Sequence, residues 1–203
     1  MNSEERIKAA ARKVFHQKGY AGTRTRDIAE EAGINHAMVN YYFRSKEKLF
    51  GIVMLETMTF FFKGVSTILN NENTSLEQKI EQVVAKYIDL LLEEPELPTF
   101  VFNEVRTNPE PFVENSPIHE ALQNSVLARQ YAEAVAQGRI TEPNLIHTVL
   151  NVISLVIFPF IAQPIFTALS RTDKEAYKTL MLERKKLIPQ WIKAMLFVGE
   201  KSE

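Results

Sequence analysis

The chain has 203 residues, 45% of them hydrophobic and 24% charged, with 24 Lys and Arg against 25 Asp and Glu and no cysteine. That is enough apolar material for a well-buried core, in one domain or in a small domain joined to a larger one, and it excludes disulfides, cysteine-based zinc sites and thiol catalysis. The charge is unevenly placed: residues 1–50 hold ten Lys or Arg against six Asp or Glu, net +4, whereas residues 51–203 hold fourteen against nineteen, net −5, a basic head on an acidic body that would orient toward a polyanion.

In chain order, Ile7, Ala11, Val14 and Phe15 share one helical face, and Lys18-Gly19 closes that first helix with a cation and an αL cap. Charged residues from Glu4 to Lys13 interrupt any apolar leader, so the expectation is a protein that is not exported and acts in the cytoplasm. Ile28, Ala29 and Ala32 recur at helical spacing up to Gly33, where a helix needs a residue that tolerates positive φ. Asn35 then offers a side-chain oxygen to the free N–H groups of another helix, whose Val39 and Phe43 lie four apart. Small Ala29, Gly33 at the reversal and β-branched Val39 together have the spacing of a helix-turn-helix, which lays its second helix in a DNA major groove.

The outward face of that second helix holds His36, Ala37, Met38, Asn40 and Tyr41, a mixture of hydrogen-bonding and apolar groups suited to base edges and thymine methyls. Thr23, Arg24, Thr25, Arg26, Tyr42, Arg44, Lys46 and Lys48 flank it with the hydroxyls and cations that grip phosphates. Tyr41, Tyr42 and Phe43 also fit the core of a small domain; Phe43 is assigned there and Tyr42 to the phosphates.

After Ser45, an N-cap, a long apolar helix runs from Lys46 toward Leu69 and is stopped by Asn70-Asn71-Glu72-Asn73. It would link head to body as a lever. From Ser75 the residues Leu76, Ile80, Val83, Val84, Tyr87, Ile88 and Leu91 hold a 3.6 period to Glu93-Glu94-Pro95. Prolines 95, 98, 109, 111 and 117 leave room only for a short helix over Phe100–Thr107. Another helix is expected from about Pro117 to Gln137, with Gly138 beyond it, and Pro143 opens the next. The most membrane-like stretch, Val149–Leu169, is broken by Asn151, Ser154, Pro159, Gln163 and Pro164 and reads as a buried helix, so no membrane partner is expected. A last helix carries Tyr177, Leu180, Met181, Leu187, Ile188, Trp191, Ile192 and Met195. The chain reads as all-α with about nine helices: a head over residues 1–49 and a helical body over 50–203.

Residues 4–50 resemble the TetR family of bacterial transcription regulators. The resemblance is carried by Phe15 to Tyr20, by Asp27-Ile28-Ala29 and Ala32-Gly33-Ile34, and by Tyr42-Phe43-Arg44-Ser45-Lys46-Glu47-Lys48-Leu49. It implies a homodimeric repressor whose larger C-terminal domain binds a small molecule, with His36, Ala37, Met38 and Tyr41 at base-reading positions and Thr25, Tyr42 and Lys46 at phosphates. Two positions depart from the family. Arg24 stands where a capping Ser or Thr is usual, leaving the cap of that helix to Thr23 or Thr25. Asn40 stands where tyrosine is common, and Asn can bond adenine N6 and N7 together.

The body has more large apolar residues than its own core needs, which points to a partner surface; the resemblance implies a homodimer through the last two helices, hence a near-palindromic operator in double-stranded DNA. Candidate ligand-pocket residues are Phe61, Tyr87, Leu91, Phe100, Phe102 and Asn103, with Leu122, Tyr131, Asn151, Ser154 and Phe158 further on. The abundance of phenylalanine favours an apolar or aromatic effector. An enzyme is not expected. His119 beside Glu114 and Glu120, and His147 after Glu142, form no metal-binding helical pair; Glu104 and Arg106 form no catalytic constellation; there is no Gly-rich phosphate loop and no implied cofactor or metal. The competing reading is a DNA-binding protein that keeps the head but has no effector, constitutive or architectural.

Overall fold

The computed structural model describes residues 2–107, 109–110 and 123–197. Among these there are ten helices and one isolated bridge, Ile140 with Phe197. The chain divides into two compact units: Met1–Phe62 with the described residues of Thr99–Ser116, and Lys63–Pro98 with those of Pro117–Glu203.

In the first unit α1 (Ser3–Gly22) starts on a reciprocal cap, Glu5 N–H to Asn2 Oδ1 at 2.9 Å and Asn2 N–H to Glu5 Oε2 at 3.1 Å. It buries Ile7, Ala10, Ala11, Val14 and Phe15 and breaks at Gly19. There φ is 66° and ψ is 177°, so the glycine is needed, yet the conformation is not the αL cap expected of it. Helices α2 (Thr25–Ala32) and α3 (His36–Phe43) bury Ile28, Ala29, Ala32, Val39 and Phe43. Helix α4 (Lys46–Leu69) is capped by Ser45, whose Oγ accepts the Lys48 N–H at 3.1 Å. Its Leu49 and Val53 are fully buried. Phe50 meets Phe15 edge-on at 4.9 Å and Phe100 of α6 (Leu97–Thr107) at 5.7 Å. These contacts carry the first unit beyond residue 49 to Phe62.

In the second unit α5 (Leu76–Glu93) opens on a Ser75–Gln78 capping box and buries Leu76, Ile80, Val84, Ile88 and Leu91. Lys79 is also buried, because its ammonium closes the turn before α5, donating to Asn71 O at 2.7 Å, Thr74 O at 2.6 Å and Thr74 Oγ1 at 2.9 Å. Three acceptors satisfy its three donors, though burial still pulls its pKa down. Helix α7 (Val126–Ala136) begins on the Ser125 cap rather than near Pro117; residues 117–122 lie outside those described.

The stretch 149–169 is not one buried helix. It falls into α8 (Leu145–Ile161) and α9 (Gln163–Ser170), bent by 63° at Ala162. Pro159 and Pro164 each withhold an N–H from a continuous helix, and Leu150, Ile153, Phe158, Ile165, Phe166 and Leu169 are exposed on the single chain. By length and composition alone, among the described residues, α4 is long and apolar enough to cross a bilayer, and α8 with α9 passes the same test only when the bent pair is taken as one span. Pro159 also leaves the Leu155 carbonyl without its partner four residues on. Arg184 of α10 (Lys174–Leu196) donates to that carbonyl at 2.8 Å, and Tyr177 of α10 donates to Pro159 O at 2.9 Å.

Candidate DNA-binding interface

Helix α2 is fixed at both ends by side chains that spacing alone does not reveal. At its C-terminus Gly33 takes the αL conformation, φ 63° and ψ 41°. The guanidinium of Arg6, on α1, donates to Ala32 O at 2.7 Å and Gly33 O at 3.4 Å, a cation on carbonyls no helical N–H can reach. At its N-terminus the cap comes from neither Thr23 nor Thr25. Asp27 reaches back to the Arg24 N–H at 2.9 Å, and that bond, with Lys18 at 3.4 Å, holds the Asp27 carboxyl below the usual range. The signal was readable: an acid at the third helical position can cap on its own.

Thr23 is only 2% exposed and its hydroxyl donates to Gly19 O at 2.7 Å, so it closes the end of α1 and has no surface to offer a phosphate. Thr25 is half-exposed, and its Oγ1 lies 2.7 Å from His36 Nε2, joining the first residues of α2 and α3.

Helix α3 is capped by Asn35, whose Oδ1 accepts the Ala37 N–H at 2.9 Å. With Val39 and Phe43 in the core, the opposite side presents exposed His36, Ala37, Asn40 and Tyr41 and half-exposed Met38. Tyr41 is 79% exposed. Its ring meets that of Tyr42 edge-on at 5.3 Å. Arg24, Arg26, Arg44 and Lys48 are exposed around this face. Lys46 is half-buried, its ammonium donating to Tyr20 O at 2.8 Å and Thr23 O at 3.1 Å and lying 4.1 Å from the centre of the Tyr20 ring. Two of its three donors thus tie α4 to the end of α1.

The α3–α4 junction is a tight γ-turn on Arg44, φ 62° and ψ −40°, closed by the Ser45 N–H on Phe43 O at 2.7 Å.

Among the described residues the ligand candidates have different local settings. Phe100 belongs to the core of the first unit, between His16 at 4.7 Å and Phe50. Phe102 and Asn103 are exposed, Phe102 under the Arg106 guanidinium at 5.7 Å. Asn151, Ser154 and Phe158 share the exposed side of α8 and so line no interior cavity of the single chain. Tyr131 is buried, but its hydroxyl donates to Glu142 O at 2.7 Å and pairs with Thr148 at 3.0 Å, a brace between α7 and α8. Tyr87 and Leu91 of α5 remain together, the Tyr87 hydroxyl pushed up by burial. Leu122, His119 and the side chain of Phe61 lie outside what is described.

Comparison with known proteins agrees with this geometry. A family model described as "Bacterial regulatory proteins, tetR family" matches residues 7–52. The protein named "Probable HTH-type transcriptional regulator YttP" of Bacillus subtilis is 26% identical over 98% of this chain and 97% of its own. The HTH-type transcriptional repressor NicS of Pseudomonas putida is 35% identical over 50% of this chain and 48% of its own. The crystal structure of a TetR transcription regulator from Haloarcula marismortui matches with a TM-score of 0.64 at 17% identity, covering 96% of this chain and 98% of that one.

Proposed function

From the premise that the chain is a TetR-family transcription regulator, a DNA-binding protein and not an enzyme, we propose that it is a homodimeric repressor, acting in the cytoplasm, released from a near-palindromic operator by a small apolar or aromatic molecule. The observation that carries this is the pairing of an exposed reading face on α3 with an uncovered apolar face elsewhere. Leu150, Ile153 and Phe158 of α8 and Leu180, Leu187, Trp191 and Met195 of α10 are exposed on one chain. A second copy would cover them, and twofold pairing on a major-groove reader requires the two reading heads to be about 34–36 Å apart, one DNA turn, or a simple multiple of it. Repression is favoured by the match to NicS, a repressor by name.

The base contacts are assigned to His36, Ala37, Met38, Asn40 and Tyr41, and the phosphate contacts to Arg24, Thr25, Tyr42 and Lys46. The effector is assigned to the second unit near Tyr87 and Leu91, an apolar neighbourhood in a chain with 13 phenylalanines. Helix α4 runs from the first unit into the second, so ligand binding that tilts it displaces α3 from its groove. A full switch requires the ligand to favour the released state by roughly 5.5 kcal/mol.

The test is selection from a random duplex library at about 0.15 M salt, followed by sedimentation of the protein with the selected duplex. A twofold motif bound by two chains is expected. Enrichment of no sequence would overturn the specific-repressor reading, and a motif bound by one chain would remove the dimer. Thermal-shift screening then separates the regulator from a constitutive binder: apolar compounds that raise the melting temperature should also lower operator affinity.

A further inference from the structure

The contact between Thr25 and His36 constrains which base His36 can read, and this inference rests on the assignment of α2 and α3 as the DNA reader. Thr25 Oγ1 and His36 Nε2 are 2.7 Å apart, in hydrogen-bond range, at the first residues of the two helices. A hydroxyl has one proton to give. Free of DNA, either partner can donate: Thr25 O–H to a bare Nε2, or Nε2–H to the hydroxyl oxygen.

Docking removes that freedom. Thr25 opens α2 between the exposed cations Arg24 and Arg26, which with the helix dipole favour a phosphate against the opposing charge of Asp27, and a phosphate oxygen only accepts. Once the Thr25 proton is given to phosphate, Oγ1 can only accept, so Nε2 must carry the imidazole proton. In the singly protonated ring this leaves one polar atom, Nδ1, bearing a lone pair; a doubly protonated ring would present a donor there and select guanine instead.

We propose that Thr25 sets the tautomer of His36, making it an acceptor that selects an exocyclic amine in the major groove, adenine N6 or cytosine N4, and rejects guanine O6 and N7 and thymine O4. Phosphate, Thr25, His36 and base form one directed chain of hydrogen bonds. Sequence preference at this position is therefore set by a residue that touches only the backbone of the DNA. A lone pair facing another acceptor leaves both unpaired, a loss that reads as about tenfold or more in affinity.

The test uses the whole protein and chemically altered duplexes. The base pair read by His36 is the one whose preference relaxes in motifs selected by His36→Ala. At that pair, removing the exocyclic amine (purine for adenine, or 2-pyrimidinone for cytosine) should cost the wild type tenfold or more, whereas 7-deaza substitution of the purine should cost little. Thr25→Val should lose dependence on the amine, and Thr25→Ser, which keeps the hydroxyl, should retain it; melting curves confirm that both fold. A penalty from 7-deaza substitution with none from amine removal overturns the assignment, as does a Thr25→Val protein that binds every duplex more weakly yet still discriminates. Selection of no motif by the wild type would instead overturn the reading of α3 as a specific reader, and this proposal with it.

Discussion

Arg184 donates to the Leu155 carbonyl at 2.8 Å, the acceptor left vacant because Pro159 has no N–H to return to it. A proline inside one helix is thus compensated by a cation from another, and the two positions should be energetically coupled. Arg184→Met keeps much of the apolar bulk and loses the donor, and is expected to cost about 1–3 kcal/mol in chemical denaturation. In a Pro159→Ala background, where an N–H is restored, the same change should cost clearly less. Equal costs in both backgrounds would show that the bond contributes nothing specific.

The γ-turn on Arg44 holds an L-residue at φ 62°. Strain of this kind costs roughly 1–3 kcal/mol, part of which Arg44→Gly recovers against the greater freedom glycine brings to the unfolded chain. The expected outcome is a rise in stability of about 1 kcal/mol for Arg44→Gly and none for Arg44→Ala. Both variants should lose about one unit of salt slope in DNA binding if the exposed guanidinium meets a phosphate.

Lys46 and Asn40 should separate in kind. Lys46→Ala is expected to weaken binding to all duplexes and lower the salt slope by about one. It should also lower the melting temperature, because the Tyr20 and Thr23 carbonyls lose their donor. Asn40→Ala should leave stability alone, being exposed, and change which sequence is selected. Uniform weakening by Asn40→Ala would remove it from the base-reading set.

Burial pushes the hydroxyl of Tyr177 up to about 12 from its ordinary value of 10.0, with the Arg184 charge opposing. Between those values the folded chain holds a proton that the unfolded chain has released. Stability from this group is complete below pH 10 and is lost as pH rises through 12, a total on the order of 2–3 kcal/mol. Tyr177→Phe should flatten the alkaline decline by up to one proton, leaving the contributions of Tyr87, Tyr131 and Lys8, whose pKa values are also raised in the folded chain. An unchanged slope would refute the assignment.

Local rules carried far in the head. Gly33, Asn35, Ser45 and the Val39–Phe43 pair each serve the element their spacing implied, because capping and helical facing depend on neighbours within about four residues. What escaped were long reaches across the fold: Arg6 to Ala32, Arg184 to Leu155, Lys46 to Tyr20. Burial of Thr23 escaped for a related reason, since a small hydroxyl suits a helix end and a surface equally. The ligand residues were the least legible. Phe100 and Phe158 look alike in sequence, yet one lies in the core of the first unit and the other on an open face of α8, and only the packing of whole helices separates them.

Trp191 is the single tryptophan of the chain, and it sits on the uncovered side of α10, 39% exposed, with the Arg184 guanidinium 5.2 Å from its ring. The protein therefore carries its own optical label at the surface proposed for self-association. Its emission maximum, followed through serial dilution with no dye attached, should move to longer wavelength as copies part and water reaches the indole.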